Sequence, residues 1–160
     1  MSMERLIGQR WSIIATVLFS FIILPLNTAW SGGATPNAAC SGGATPEDVV
    51  QKYYQALKNR DFPEAYQYTS KGMRDGKEQK QWVDFMKDLF EGGKVTFTEI
   101  SVTPGAVSEK EAQVNTVINS KDIFNKNGLI EYNVERLVLE DCLWKIDRTE
   151  LKDSKILDPS

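Results

Sequence analysis

The chain predicts an α+β fold, in which three helices precede a curved four-stranded antiparallel sheet and pack on it. Three observations predict it. Apolar residues recur at helical spacing between Val49 and Phe90, the period switches to two after Gly93, and the region before Glu47 has a composition of its own. Apolar residues make up 41% of the 160 and charged residues 26%, enough of each for a folded domain.

Residues 11–46 contain no charge. Arg5 and Arg10 precede the apolar run 13–26 (IIATVLFSFIILPL), the order of a secretory signal. The wider stretch 11–30 would rise about 30 Å as a helix, so a retained anchor is the alternative. Residues 1–30 are therefore expected to be a signal sequence or membrane anchor, which places the folded part outside the cytoplasm. Residues 31–46 are Gly, Ala, Ser, Thr, Pro, Asn and Cys, and belong to a tandem duplication in which NTAWSGGATP (27–36) is followed by NAACSGGATP (37–46). Such a segment buries almost nothing and is expected to be a flexible tether.

Helix signals begin at once after it. Thr45, Pro46, Glu47 and Asp48 read as cap, first-turn proline and first-turn acids. Val49, Val50, Tyr53, Tyr54, Ala56 and Leu57 then form one apolar face, which ends at Asn59-Arg60-Asp61. Asp61 can cap a short second helix through Pro63, Glu64, Ala65, Tyr66 and Tyr68. Trp82, Phe85, Met86, Leu89 and Phe90 define a third, stopped by Gly92-Gly93. Strands are expected at 94–102, 111–119, 129–139 and 142–151, with turns at Pro104-Gly105, Asn127-Gly128 and Glu140-Asp141. The α+β domain is expected to span 47–152, and 153–160 to form a tail.

Composition excludes several functions. The residues from Glu47 onward carry 17 basic and 21 acidic side chains with signs interspersed, which offers no footprint for nucleic acid. There is no histidine and there are only two cysteines, so no metal site and no cofactor are expected. The mixed-sign stretch 71–80 reads as a solvated loop and helix start.

The strings TPEDVVQKYYQALKNRDFPEAYQYTS and LWKIDRTEL resemble the nuclear-transport-factor-2-like superfamily of cystatin-like α+β cones. Within it they are similar to a bacterial family of small lipoproteins of unknown function. The resemblance implies a cone-shaped cavity, lined by Tyr53, Tyr54, Trp82, Phe85, Tyr132 and Trp144 unless these are simply core. It also implies pairing of two copies through the sheet. Cys40, followed by Ser-Gly-Gly, resembles the acylated start of bacterial lipoproteins, although Asn37 stands where their lipobox has an apolar residue. A free thiol or a disulfide to Cys142 are the alternatives.

Arg136 is the sharpest candidate for a ligand contact. Counting by twos, Ile130, Tyr132, Val134, Arg136 and Val138 share one face, and an inward arginine would need an anion. A β-bulge near Glu135 and Arg136 would instead turn Arg136 outward and bring Leu137 and Leu139 in, and is the preferred reading. Glu131 and Glu135 hint that the opposite face is solvated. No acidic residue recurs on an apolar face, so no catalytic residue is assigned. The expected role is a non-catalytic, membrane-attached envelope domain that binds a small apolar or anionic ligand, or an envelope protein. A small acid/base enzyme of isomerase or dehydratase type is the alternative.

Overall fold

Thr45 accepts a hydrogen bond from the Asp48 amide while the Asp48 carboxylate accepts one from the Thr45 amide, so the first helix starts where its sequence says. The structure, a computed structural model, describes residues 43–157. The signal or anchor expected at 1–30, most of the expected tether and Cys40 lie outside those residues. Helix α1 is Pro46–Lys58, α2 is Phe62–Gln67, and α3 is Gln79–Gly93. Strands β1 (Thr96–Val107), β2 (Glu111–Lys121), β3 (Leu129–Glu140) and β4 (Leu143–Ile156) pair antiparallel in the order β1-β2-β3-β4. This is the α+β architecture expected, three helices on one curved sheet.

One core joins the layers. Val49, Val50, Tyr53, Tyr54, Ala56 and Leu57 of α1, Phe62 and Ala65 of α2, and Trp82, Met86 and Phe90 of α3 are all buried. They cluster with Ala112, Val114, Ile118, Leu137, Trp144 and Ile146 of the sheet. Edge-on aromatic contacts run through it, Phe62 to Phe90 at 5.3 Å, Phe90 to Phe97 at 5.6 Å and Phe97 to Tyr54 at 6.0 Å between ring centroids. The end of α2 is pinned to the edge of β4. The Ser70 amide donates to the Ile146 carbonyl and the Ile146 amide to the Tyr68 carbonyl, both at 2.8 Å.

Several connections differ from expectation. Strand β1 runs on through Pro104 and Gly105, and a register shift between Pro104 and Val107 absorbs them. Proline is tolerated because β1 is an edge strand whose missing donor faces no neighbour. Gly105 is required by close approach, since a Cβ there would lie 2.4 Å from the Gln113 carbonyl oxygen. Asn127-Gly128 is not a tight hairpin turn. The β2–β3 loop is longer, and the Asp122 carboxylate organises it by accepting from the Phe124 and Asn125 amides at 2.6 and 2.7 Å. The tight turn is at Asp141-Cys142, both left-handed (φ 50° and 62°), the pattern that suits the twist of a two-residue hairpin. Gly93 stays within α3 and Lys94 takes the left-handed cap, at φ 49°. Strand β4 continues to Ile156, into the segment expected as a tail.

Trp144 sits in the core, 9% exposed. Trp144→Ala should cost about 3–5 kcal/mol, as truncation of a large buried side chain does. Urea denaturation of the full chain measures this; a loss under about 1 kcal/mol would place Trp144 outside the core.

Candidate functional site

The direction each side chain takes on β3 decides what the site is. Asn133, Glu135 and Leu137 are buried, whereas Tyr132 is 42% exposed and Val134, Arg136 and Val138 lie on the outer side between them. Odd-numbered residues thus face the helices along this strand. The extra residues are on β4: Arg136 pairs with Arg148 and Leu137 with Ile146, which leaves Asp147 as a bulge. A second shift, from Tyr132 opposite Asp153 to Asn133 opposite Leu151, leaves Lys152 as another. Strand β3 itself stays regular, so the bulge expected at Glu135–Arg136 belongs to its neighbour.

Glu135 is the centre of the inner face. It is 0% exposed, and its carboxylate accepts three hydroxyl hydrogen bonds. Tyr54 Oη donates to Oε1 at 2.5 Å, Thr116 Oγ1 to Oε1 at 3.2 Å, and Thr149 Oγ1 to Oε2 at 2.6 Å. Each donor comes from a different element: α1, β2 and β4. Burial pushes the carboxyl above its ordinary value, the three donors oppose that, and the nearby Glu131 charge adds to the rise. Glu131 is raised as well, by burial and then by the Asp122 charge. Tyr53 and Tyr54 are both raised, first by burial and then by the Glu135 charge, which puts both rings beside that carboxyl. The two rings meet edge-on at 5.1 Å.

Around Glu135 the inner face stays polar. Thr116 and Ser120 of β2 and Asn133 of β3 are buried. Among the described residues no side-chain hydrogen bond is made by Asn133, Ser120 or the Tyr53 hydroxyl. Asn133 is 6% exposed and Tyr53 4%. No fully enclosed side-chain nitrogen or oxygen among the described residues lacks a partner, so these groups keep a narrow contact with solvent. Polar groups that keep a residual contact with solvent at the margin of a core are what a ligand would replace water on.

The outer face carries the basic groups. Arg136 grips Glu150 in bidentate fashion, Nε to Oε1 at 3.0 Å and Nη2 to Oε2 at 3.1 Å. Arg148 Nε and Lys152 Nζ join the same carboxylate at 3.1 and 2.8 Å. These bonds, Arg136's first, hold the Glu150 carboxyl down at about 2.

Of the residues singled out from the sequence, Tyr53 and Tyr54 stand beside the inner carboxyl, while Trp82 and Trp144 are packed in the core. Trp82 meets Tyr66 edge-on at 5.7 Å. Three do not line the interior. Phe85 is 51% exposed, because the buried stripe of α3 advances Trp82, Met86, Phe90 and leaves Phe85 a fraction of a turn off it. Tyr132 is exposed on the outer face, and Arg136 is tied to Glu150 there, so an anion-holding arginine inside the cone is overturned. Glu135, expected on the solvated side, is fully buried instead. It went unnoticed with Asn133, Thr116 and Thr149 because the even-numbered face of β3 is the more apolar in its first half. The signal that would have found it is parity with Leu137 and Leu139, counted back from the end of the strand.

Cys142, on the β3–β4 turn, is disulfide-bonded and is the single cysteine among the described residues. Those residues hold no cluster of three or more acidic or cysteine side chains able to bind a metal. None of their helices is long and apolar enough to cross a membrane.

No protein-family model matches the chain, and no curated protein matches it. Among solved structures it is similar to Bd1075 of Bdellovibrio bacteriovorus, with 19% identity, TM-score 0.45 and 64% of this chain covered. The chain spans 38% of that protein's length. It is also similar to a candidate polyketide cyclase from Pseudomonas putida KT2440, with 15% identity over 69% of this chain and 92% of that one and a TM-score of 0.46. A candidate scytalone dehydratase from Novosphingobium aromaticivorans DSM 12444 shares 15% identity over 70% and 85% of the two chains, with a TM-score of 0.48. Likenesses this distant carry no activity, ligand or site residue over to this chain.

The opposite shifts of Glu135 and Glu150 give opposite pH effects. Glu135 binds its proton more tightly when folded, so the stability it contributes is full below the ordinary carboxyl value of 4.5 and is lost as pH rises through its folded value. Glu150 holds its proton less tightly when folded, so its contribution is present above 4.5 and lost as pH falls toward about 2. Denaturation midpoints across pH 2–9 should show the alkaline-side loss diminished in Glu135→Gln and the acid-side loss diminished in Glu150→Gln. Glu131, raised in the same direction, adds a loss of the same sign as Glu135. Identical profiles for Glu135→Gln and the unaltered chain would remove Glu135 from the buried site.

Proposed function

We propose that this domain is a ligand-binding module of the bacterial cell envelope, and that it takes up a small, partly apolar molecule on the polar inner face of its sheet. The observation that carries this is Glu135, a carboxylate with no exposure, clamped by Tyr54, Thr116 and Thr149 where the apolar core gives way to the polar inner face. A core needs no such group, and keeping it there costs desolvation that only the three donors offset. Asn133 and Tyr53 beside it supply polar groups not bonded to other described side chains. A protein partner is the competing occupant, and it would use the outer face, where Tyr132, Val134 and Val138 lie.

The acid/base enzyme is a second reading, and one finding favours it. An inward carboxyl is the feature that such chemistry requires, and Glu135 provides one with its proton affinity raised by burial. In that role Glu135 would accept a proton from the bound molecule, and Tyr53 would donate a hydrogen bond to the oxygen on which charge develops.

The membrane attachment is proposed from the apolar run at 13–26, with the folded domain outside the cytoplasm. The resemblance to small lipoproteins offers lipid on Cys40 as the other route. The disulfide at Cys142 favours the first, because the chain's other cysteine, Cys40, can carry a lipid thioether or a bridge but not both.

Two measurements test these points. Small neutral aromatic and aliphatic fragments titrated into the isotope-labelled full chain should move the Asn133 side-chain amide and Tyr53 ring resonances and leave Tyr132 unmoved. Shifts confined to Tyr132, Val134 and Val138 would move the binding surface to the outer face. A fragment recovered chemically changed by the unaltered chain but intact from Glu135→Gln would establish the enzyme. Separately, non-reducing peptide mapping should yield a peptide carrying Cys40 joined to one carrying Cys142. A peptide with an acylated Cys40 would make lipid the anchor.

A further inference from the structure

The open end of the inner face is acidic, and among the described residues no basic side chain holds an inward position on β2, β3 or β4. Glu131 stands on the same face of β3 as Asn133 and Glu135, opposite the buried Ile118 of β2 and Ser154 of β4. Glu131 is coupled electrostatically to Glu135 on one side and to Asp122 on the other. Asp122 is spoken for, since its two oxygens hold the Phe124 and Asn125 amides and the Asn125 side chain. Among the described residues Glu131 has no ion pair and no side-chain hydrogen bond. On the neighbouring strands Lys121 and Lys155 fall at outer-face positions. Arg136, Arg148 and Lys152 all hold Glu150 on the outer face. The inward positions of β2 (Ala112, Val114, Thr116, Ile118, Ser120) contain no lysine or arginine, and nor do those of β4 (Trp144, Ile146, Thr149, Leu151, Ser154, Ile156).

Two further observations point to an occupant rather than to a merely solvated acidic edge. Asn133 lies between the two glutamates on the same face, more than nine-tenths buried, with an amide that no described residue bonds. Leu151 pairs with Asn133 and Ile156 with Leu129, and both leucine and isoleucine are exposed on this inner side. The inner side of β3 and β4 therefore carries an exposed apolar rim, Leu151 and Ile156, beside Glu131 and the buried Asn133. Glu135 has its three hydroxyl donors, but a neutral or anionic guest would leave Glu131 without compensation. A cation would offset it.

Resting on the ligand-binding reading above, we propose that the Glu131 end of the inner face takes a small organic cation, an amine or ammonium group carried on an apolar body. The ammonium lies between Glu131 and the Asn133 carboxamide oxygen, and the apolar body lies against Leu151 and Ile156. Selection is by charge, so an isosteric alcohol binds more weakly than the amine and a carboxylate is refused.

The test titrates the full chain with benzylamine, phenethylamine and hexylamine, each beside the alcohol and the carboxylate of matching length, and follows the Asn133 side-chain amide. The amines should bind more tightly than the alcohols by about tenfold, as a charge-assisted hydrogen bond predicts, and the carboxylates not at all. Glu131→Gln, on a partly exposed residue outside the core, should abolish that preference and leave the fold intact by circular dichroism. Alcohols that bind as well as amines, or a preference that survives Glu131→Gln, would overturn the cation assignment and leave an inner-face ligand site standing. If no compound of any charge moves Asn133, the ligand-binding reading fails together with it.

Discussion

The burial of Leu137 against Trp144 and Ile146, beneath the helices, is the constraint from which the rest follows. Side chains alternate along a strand, so once Leu137 faces inward Glu135, Asn133 and Glu131 must face inward with it. A slip of one residue would bring Val134 and Tyr132 inside but would expel Leu137 and set Arg136 in the core. The fold keeps the leucine and accepts the glutamate. That choice requires three hydroxyls at the right places, and Tyr54, Thr116 and Thr149 supply them from three separate elements. Helix α1 and strands β2, β3 and β4 are thereby tied by one carboxylate.

The bulges of β4 serve the same arrangement. With Asp147 and Lys152 inserted, Thr149 falls on the inner side opposite Glu135 while Arg148 and Glu150 fall on the outer side beside Arg136. Asp147 itself is held from the helical layer, where Ser70 Oγ donates to its Oδ1 at 2.7 Å. The Ser70 and Ile146 backbone bonds close the same edge. Charge is sorted by this geometry. Three cations crowd around Glu150 on the outer face, and the inner face keeps its carboxylates without a counter-ion. An outer pair near solvent contributes little to stability, whereas an inner carboxylate, away from bulk water, is screened much less.

Function follows from that sorting rather than from a motif. The domain has an interior that is apolar where the helices cover it, around Leu137, Trp144 and Ile146, and polar toward the other end, around Glu135, Asn133 and Ser120. Such a division leaves hydrogen-bonding groups at the edge of a hydrophobic core. It is the general condition for holding a small molecule in a fixed orientation.

Local chemistry in the sequence determined the element order, because capping and periodicity act over a few residues. Thr45 and Asp48 start α1, Asp61 starts α2 by accepting from the Glu64 amide at 3.1 Å, and the change of period after Gly93 marks the sheet. The aromatic pair Tyr53 and Tyr54 was also legible as inward, from helical spacing alone. Which face of β3 is buried was decided only by tertiary structure. In its first half Ile130, Tyr132 and Val134 make the even face the more apolar, and in its second half Leu137 and Leu139 make the odd face so; no local rule chooses between them. The helices choose, by covering the second half. The exposure of Phe85 and the outward turn of Arg136 have the same origin, since both depend on which neighbours pack. Periodicity names candidate faces, and the neighbours available to bury them select one.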